Sequence, residues 1–404
     1  MRRQPLVATV LTLALISASV SGQSLDARNL GMGGAGVASS DYTAAAISNP
    51  ALLTRFDDGD DLALTFPSFG ILATDNDDLL QAIDDFQASY DNLVDKINNM
   101  TVTLADRAEL VAALANIDGK SFTARSAIGF RFSVPSKDLA WSLSLSSNLD
   151  GLVVPQIDPL DIARILAATS PNDLDNLVSD ISVVAASVTD LGLSLAHAWE
   201  FSHVSLGVGV TPKYQRIDTY NYSVQIQNVD LNDFKDSRYR NDEDGFNVDV
   251  GVSLTLEKSL TLGLVGKNLV GRTVDTVVTN GRSYTYELNP LYTAGVAWQP
   301  IGLLTLTADL DLNTKERYQG IDDDVRYLAL GAEVDLWEWL MLRAGYRMDL
   351  EEVDYDLFSA GVGIGLFDTV RIDVSGLVST NQKSVLGGED YGIYGGAFQL
   401  TFKF

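Results

Sequence analysis

Apolar and polar residues alternate with a period of two along most of this chain. In residues 246–256, every even-numbered position is Phe, Val or Leu, and the odd-numbered positions are Asn, Asp, Gly, Ser and Thr. Residues 397–404 repeat the pattern, because Phe and Leu there alternate with Ala, Gln, Thr and Lys. Such alternation predicts β-strands with one face in apolar and the other in polar surroundings.

About fourteen segments alternate in this way, and the connections between them differ in length in a regular manner. The predicted strands are residues 62–72, 122–134, 139–149, 187–199, 203–217, 245–257, 259–277, 284–299, 302–314, 325–336, 339–350, 355–367, 369–379 and 391–404. Short and long connections alternate along the chain, and the short ones lie near Ser136, Ser202, Lys258, Pro300, Trp337 and Asp368. Short turns at one end and long loops at the other are typical of outer-membrane barrels. The pattern predicts an all-β transmembrane β-barrel of about 14 antiparallel strands over residues 61–404, with a soluble β-sandwich or β-helix as the alternative.

Aromatic residues lie where a barrel in a membrane would place them. All five tryptophans flank the short turns: Trp141, Trp199, Trp298, Trp337 and Trp339. Indole rings favour the membrane–water interface, so these residues are predicted to form an interface belt. Phe402 and Phe404 lie on the predicted lipid-facing side, and we expect them to act as the C-terminal assembly signal of a bacterial outer-membrane protein.

The first residues have the composition of a secretion signal. Arg2 and Arg3 precede an apolar stretch at residues 6–20, and small residues follow it. This order predicts a cleaved signal peptide at residues 1–22, with a buried N-terminal helix as the alternative. We therefore expect the protein in the outer membrane of a Gram-negative bacterium.

Residues 23–60 do not alternate, and we predict that they form a plug inside the barrel. The candidate plug residues are Gly31, Met32, Gly33, Gly34, Gly36, Asn49, Pro50 and Ala51. Glycine allows close packing and unusual dihedral angles, and many inward positions of the predicted strands are also Gly, which leaves room for such a segment. Gly31, Gly33 and Gly36 also fit the spacing of a phosphate-binding loop, but no strand precedes them and no βαβ unit follows.

Two of the long connections are predicted to contain helices. Apolar residues recur at intervals of three and four in residues 77–99, Thr103 and Asp106 resemble a capping box, and Asp158-Pro159 can start a further helix. These signals predict helical insertions at 76–118 and 156–182. We expect them to pack on each other as an extracellular lid over the barrel mouth; a shallow apolar groove for a lipid-like ligand is a second interpretation, compatible with the first.

The amino-acid composition limits the kinds of binding and catalysis that this chain could perform. The chain has 54 Asp and Glu against 28 Lys and Arg, which gives a net charge of −26, with two His and no Cys. Direct nucleic-acid binding is therefore not expected, and disulfide or thiol chemistry is excluded. No Ser/His/Asp arrangement is evident, so we expect neither catalytic residues nor an enzyme, and no cofactor or metal. Acidic clusters such as 242–244 and 322–324 could hold Ca²⁺, but none has EF-hand spacing and solvated loops are the simpler interpretation.

Strand parity places basic side chains inside the barrel. Arg125, Arg131, Arg343 and Arg347 are predicted to face the lumen, where they could bind a ligand carboxylate. The alternative is that these guanidinium groups pair with acidic residues of the barrel and of the plug.

The chain resembles the FadL-type long-chain fatty-acid transporters of the outer membrane, and more closely their TraF-like relatives, which are named for conjugal transfer. The residues that carry the resemblance are 26–28, 32–39, 49–53, 67–70, 77–80 and 83–87. The resemblance implies a plug that fills the lumen, a hydrophobic ligand site beside it and sideways ligand exit through a strand kink. This sequence departs from FadL in placing its helical insertions in the first two long loops.

Two functional hypotheses follow. The first is a plugged conduit or binding protein for small hydrophobic molecules. The second is a structural or assembly component of the outer membrane associated with conjugal plasmid transfer. The expected partners are outer-membrane lipids and lipopolysaccharide, the barrel assembly machinery, a small hydrophobic ligand and, under the second hypothesis, conjugation components.

Overall fold

The computed structural model describes residues 26–57, 59–76, 78–229, 234, 236–321, 323–337, 339–353, 356–367, 369–379 and 394–404. The predicted signal peptide at 1–22 lies outside these residues. The strands of the described chain are β1 (Ala63–Asn76), β2 (Ser121–Val134), β3 (Ala140–Gln156), β4 (Asp180–Glu200), β5 (Val204–Gln225), β6 (Arg240–Leu256), β7 (Leu260–Lys267), β8 (Arg272–Asp275), β9 (Thr285–Leu288), β10 (Leu291–Ile301), β11 (Leu304–Asp311), β12 (Tyr327–Leu336), β13 (Leu340–Asp349), β14 (Leu357–Leu366), β15 (Val370–Ser379) and β16 (Tyr394–Lys403).

All of these strands except β8 and β9 form one closed antiparallel barrel of fourteen strands. Strands that follow one another along the chain are neighbours in the wall, β7 pairs with β10, and β1 pairs with β16 to close the ring. The predicted fold class and strand number are therefore confirmed. Closure leaves no unpaired sheet edge, which is the condition for a β-structure to span hydrocarbon.

The predicted strands 259–277 and 284–299 are too long. The strand β7 ends at Lys267, because Asn268 takes a left-handed backbone conformation with φ of 53°. The chain then forms a separate hairpin, in which β8 pairs with β9. Side chains of this hairpin, including Val274 and Tyr286, are buried at the long-loop end of the lumen, so their alternation reflects a core and not a lipid face.

The two faces of the wall differ as the alternation predicts. On β3, Ser144 faces inward and is buried, whereas its neighbour Leu145 is 48% exposed. The outward apolar side chains form a belt around the barrel that suits hydrocarbon. At the short-turn end of this belt, four of the five tryptophans are exposed and Trp141 is half-buried, and the rings of Trp337 and Trp339 stack with centroids 6.1 Å apart.

The wall is taller on one side than on the other. The strands β12 to β16 each have 10 residues, enough to cross about 25 Å when tilted. The strands β4 and β5 have 21 and 22 residues, and β3 and β6 have 17 each. Because all the short turns lie at the same end, this extra length projects beyond the belt on the long-loop side.

The helices of the described chain are α1 (Ala27–Leu30), α2 (Ala45–Ser48), α3 (Leu79–Asn98), α4 (Leu104–Ala115), α5 (Leu160–Ala167) and α6 (Pro171–Leu174). Thr103 and Asp106 form the reciprocal capping box of α4. Among the described residues, no helix is long and apolar enough to cross a bilayer.

The helices α3 to α6 do not cover the barrel mouth, so that part of the prediction is wrong. Their shared core includes Phe122 of β2, Val153 of β3 and Ile181 of β4. By strand parity these side chains point outward, on the face that carries the lipid belt nearer the short turns. The mouth is filled from inside by the β8–β9 hairpin and Tyr318, which pack on inward residues of β4 such as Val184 and Ala186.

Candidate functional site

Residues 26–57 of the predicted plug lie inside the barrel, and we call these residues the plug. The plug contains the short helices α1 and α2 and a 3₁₀ turn at Pro50–Thr54, and most of its residues are buried. Side chains cap these short elements: Asp26 accepts a hydrogen bond from the backbone N–H of Asn29, and Asn49 accepts one from Ala51. The caps satisfy backbone N–H groups that have no partner in a sheet, and the small side chains allow the segment to pack closely.

Pairs of glycines on neighbouring strands provide the surface on which the plug lies. The pairs are Gly209 with Gly251, Gly263 with Gly295, and Gly331 with Gly345. A Cβ atom on Gly331 would lie 2.5 Å from the Cβ of Met32, and one on Gly209 would overlap the backbone of Pro50. The plug backbone therefore contacts the wall directly, and larger side chains at these positions would displace it.

Of the candidate plug residues, Met32, Gly33, Asn49, Pro50 and Ala51 contact the glycine pairs. The backbone at Gly31 lies against Gly361 of β14, and Gly36 donates its N–H to Asp309 of β11 at 2.7 Å. A Cβ on Gly34 would meet no atom within 4 Å. Glycine is favoured at this position because the backbone has a positive φ of 95°.

Buried ion pairs join the plug to strands on several sides of the lumen. Arg131 of β2 pairs with Asp26 at 2.8 Å and also donates to the carbonyl oxygen of Thr43. In a second pair the basic residue belongs to the plug: Arg28 pairs with Glu333 of β12 at 2.6 Å. Arg371 of β15 pairs with Asp41 at 2.9 Å, which links a third part of the wall.

Backbone groups of the plug are also held by charged side chains of the wall. One carboxylate oxygen of Asp309 accepts hydrogen bonds from the N–H groups of Gly36 and Val37, at 2.7 and 2.8 Å. The amine of Lys267 donates to the carbonyl oxygen of Ile47 at 2.6 Å. Because each contact satisfies a buried charge, loss of one partner would leave the other uncompensated.

A cavity lies between one side of the plug and inward residues of strands β1 to β7. It contains about 840 Å³ of space free of protein atoms, counting solvent at its margin. The apolar residues of its lining that lie on the plug or on the inward side of the wall are Ala46, Ile47, Ala127 and Val188, and its uncharged polar lining is Ser68, Ser144, Ser146, Asn148, Thr211 and Asn268. The charged groups in its lining have partners within the protein: Arg131 binds Asp26, Lys213 lies 3.2 and 3.0 Å from Asp190 and Asp249, and Lys267 donates to the carbonyl oxygen of Ile47. The cavity therefore suits a molecule with an apolar part and an uncharged polar end.

Two irregularities of the strand pairing border this cavity. The strand β1 has a bulge between Thr65 and Ser68, which shifts its register against both β2 and β16. The ladder between β4 and β5 is interrupted between the pairs Gly192–Lys213 and Leu195–Val210, in a stretch that includes Pro212, which has no N–H. Ser68, Gly192 and Thr211 all line the cavity.

The four predicted lumen arginines do face inward, but they do not form one site. Arg131 holds the plug, and Arg343 binds Glu333 and Asp373, at 2.5 and 2.7 Å. Nearer the mouth, Arg125 donates to the hydroxyl of Tyr327, and the guanidinium of Arg347 lies 4.6 Å from the centre of the same ring. The carboxylates that Arg131 and Arg343 bind are thus supplied by the protein itself.

A second set of charges closes the long-loop end of the lumen. Arg317, in the connection between β11 and β12, binds both oxygens of Asp150 of β3, each at 3.1 Å, and also contacts Asp323. The ring of Tyr318 packs on Tyr286 of the β8–β9 hairpin. Burial raises the pKa of the Tyr318 hydroxyl and of the Asp323 carboxyl, and it lowers the pKa of the neighbouring Lys315 to about 8.

The sequence analysis missed Asp26, Arg28, Asp41, Asp150 and Arg317. A signal was present for the first three, because charges inside a segment assigned to a lumen need partners on the wall. Asp150 and Arg317 lie in regions assigned to loops, so nothing in the pattern pointed to a buried pair.

The remaining predicted residues lie at the periphery of the barrel. The backbone of Phe404 pairs with Leu62 and Asp61 beside the start of β1, and its ring is exposed; Phe402 is half-buried. Within the described residues, no group of three or more His, Cys, Asp or Glu side chains is arranged to hold a metal ion. The acidic residues 242–244, expected in a loop, lie in β6, because the strands on this side extend beyond the belt, and Asp242 pairs with Arg216.

Comparison with solved structures shows the same fold in toluene transporters and in a FadL homologue. The toluene transporter TbuX of Ralstonia pickettii is 11% identical, with a TM-score of 0.55 over 94% of this chain and 98% of its own. The toluene transporter TodX of Pseudomonas putida is 11% identical, with a TM-score of 0.52 over 96% and 98%. A FadL homologue of Pseudomonas aeruginosa is 12% identical, with a TM-score of 0.51 over 96% and 99%. The chain thus shares the barrel fold of these proteins.

A comparison with curated protein sequences finds no match. Comparison with protein families finds one described as "F plasmid transfer operon, TraF, protein", which matches residues 46–311 and so more than half of the chain. The match begins in the plug and extends through β11, so it includes two of the three glycine pairs and the strands that line the cavity. The resemblance stated from residues 26–87 is confirmed: the chain belongs to this TraF family.

Proposed function

We propose that this protein is a plugged outer-membrane conduit for small, uncharged hydrophobic molecules, preferably ones with a single polar end. The observation that carries the proposal is the cavity between the plug and β1 to β7, with its mixed lining and with charged groups that already have partners in the protein. A ligand there would bury its apolar part against Ile47 and Val188 and bond to serine hydroxyls. The proposed role is binding and passage of the ligand, without catalysis.

The wall beside the cavity offers a route out of the lumen. The bulge of β1 and the interrupted β4–β5 ladder are places where fewer backbone hydrogen bonds must break for strands to separate. A ligand leaving there would pass into the membrane instead of crossing the plug. This proposal includes export through a signal peptide at residues 1–22 and, as partners, membrane lipids, lipopolysaccharide and the barrel assembly machinery.

The test fills the cavity from a glycine in its wall. Gly129 faces the cavity, and a Cβ built on it would have no neighbour closer than 3.8 Å. We expect Gly129→Met to reduce binding of radiolabelled 1-decanol by at least tenfold in purified protein and to slow its uptake by cells. The matched control is Gly376→Met, which adds the same side chain to an outward glycine of β15 with similar space around it.

If Gly129→Met binds 1-decanol as the wild type does, the cavity is not the ligand site. Toluene in place of 1-decanol measures the importance of the polar end. Equal binding of toluene would mean that the serine and asparagine lining does not select the ligand.

The family match supports a second candidate, a structural component of a conjugal transfer apparatus. The two roles are separated by mating efficiency and uptake in a deletion strain, with and without complementation by Gly129→Met. A transport role predicts normal mating and impaired uptake in the deletion strain. Mating that is lost on deletion and restored by Gly129→Met, without restored uptake, would favour the structural role.

A further inference from the structure

Two of the helices outside the wall, α4 and α5, carry apolar side chains on their exposed faces, which is unfavourable in water. On α5, Leu160 is 63% exposed, Leu166 43% and Ile162 37%. Pro159, Ala163 and Ala167 are exposed as well, and at 100° per residue these six positions cover one arc of about 160°. The buried side of the same helix carries Ile165 and Asp161.

The neighbouring helix α4 has a similar exposed face, whereas α3 does not. The exposed residues of α4 are Leu104, Ala105, Ala108, Ala112, Ala115 and a single charged residue, Glu109, at the edge of this face, and Met100 just before the helix is 93% exposed. The exposed residues of α3 are mainly Gln81, Asp85, Asp91, Asn92, Asp95 and Asn98. One helical subdomain thus presents a polar surface on one helix and an apolar surface on two others.

The apolar surface belongs to the layer of helices farthest from the lumen. The helix α3 contacts β1 and β2, α4 packs on α3, and α5 packs on α4, where Arg107 donates to the carbonyl oxygen of Ala168. The strand residues in the shared core, Phe122 and Val153, lie on the face of the wall that carries the lipid belt closer to the short turns. The subdomain therefore continues the lipid-facing side of the barrel and overhangs it.

The charges of α5 would not oppose contact with lipid. Arg164 binds Asp161 at 2.5 Å and Asp158 at 3.4 Å. The carboxylate of Asp161 also accepts hydrogen bonds from the backbone N–H groups of Val178 and Ser179. Because these charges are paired away from the apolar arc, the arc can enter the headgroup region without burying an isolated charge.

We propose that α4 and α5 rest on the outer leaflet, with Leu160, Ile162 and Leu166 inserted at the boundary between headgroups and acyl chains. An amphipathic helix with leucines on one face adopts this position on membranes. The helical subdomain would then anchor the tall side of the wall, β3 to β6, against the membrane. This contact is independent of what the lumen binds.

Because the chain has no Cys, single cysteines can report on this surface without background labelling. Leu166→Cys and Ala163→Cys place a nitroxide spin label on the apolar arc of α5, and Asp91→Cys places one on the polar face of α3. Each variant is reconstituted in phosphatidylcholine vesicles, and folding is checked by resistance to detergent without boiling. Collision rates with oxygen, which concentrates in lipid, and with a water-soluble nickel chelate are then measured.

We expect the labels at 163 and 166 to collide at least fivefold more often with oxygen than with the nickel chelate, relative to the label at 91. Equal chelate collision rates at 166 and 91 would overturn the proposal, since the arc would then face water. Shielding of both labels on α5 from oxygen and chelate alike would also overturn it, because it would show contact with protein. If Leu166→Cys does not fold, Ala163→Cys decides the matter alone.

Discussion

Asn49 of the plug lies over Gly251 of β6 so closely that a Cβ on Gly251 would overlap the amide oxygen of Asn49. The same amide donates to the carbonyl oxygens of Val37 and Val252, at 2.9 and 3.2 Å. One side chain thus ties two parts of the plug to the wall. The absence of a side chain on the facing strand is what permits this contact.

Replacement of that glycine should loosen the plug. We expect Gly251→Val to displace residues 49–51 and to raise ion conductance in planar bilayers severalfold, because a fourteen-stranded lumen without a seated plug is wide enough for ions. Trypsin should then cleave after Arg55. The control is Gly376→Val on the lipid side; unchanged conductance and an intact Arg55 bond in Gly251→Val would contradict the prediction.

The ion pair between Arg131 and Asp26 should show strong coupling. Each side chain is almost completely buried, so Arg131→Met alone should cost about 3–5 kcal/mol in the free energy of opening the plug. The double variant Arg131→Met with Asp26→Asn should cost less than the sum of the single changes. Hydrogen exchange of residues 26–31 in folded protein measures each value, and simple additivity would show that the pair is not coupled.

The contact between Arg317 and Asp150 should hold the connection between β11 and β12 in the mouth. Asp150→Asn leaves Arg317 and the nearby Arg125 without this carboxylate, so trypsin should cleave after Arg317 at least tenfold faster. The comparison variant is Glu351→Gln, which breaks the exposed pair with Arg326, a contact worth about 0.2–1 kcal/mol. Similar cleavage rates in both variants would argue against the role of Asp150.

The same connection should close more firmly as pH rises. Burial, aided by Arg317 and Arg125, lowers the pKa of Lys315 from 10.5 to about 8, although Asp150 acts in the opposite direction. Between these two values the open form binds more protons than the closed form, so closure becomes more favourable with increasing pH. Cleavage after Arg317, relative to a reporter peptide, should fall from pH 7.5 to 9.5 in the wild type. Lys315→Met should lose this pH dependence; if it keeps the slope, another group is responsible.

The barrel could be predicted from the sequence because each wall strand lies between lipid and a polar lumen, so its residues alternate. That relation fails at β8 and β9, where alternation arises from packing inside the mouth, and at 150–156 and 180–186, where both faces are buried and the pattern fades. The helices α3 and α4 were visible from their periodicity and the Thr103 cap. Their position outside the wall could not be predicted, because an apolar helix face does not show which surface it covers.

At the candidate site, the sequence indicated the glycines and the inward arginines but not their partners. Arg131 and Asp26 are 105 residues apart, and Arg28 and Glu333 are 305 apart. Pairing over such separations depends on barrel register and on the path of the plug, neither of which leaves a local pattern. The cavity depends in addition on space at Gly129, which has the same sequence signature as the glycines that the plug fills.

The plug precedes every strand in the chain, and it contacts strands from β2 to β15. Each new hairpin can therefore pack against a plug that is already present. The pairing of β1 with β16 then closes the ring. A circular permutant that moves residues 26–57 behind β16 would have to thread a charged segment into a completed cylinder. The order of the sequence thus allows the wall to form around the plug.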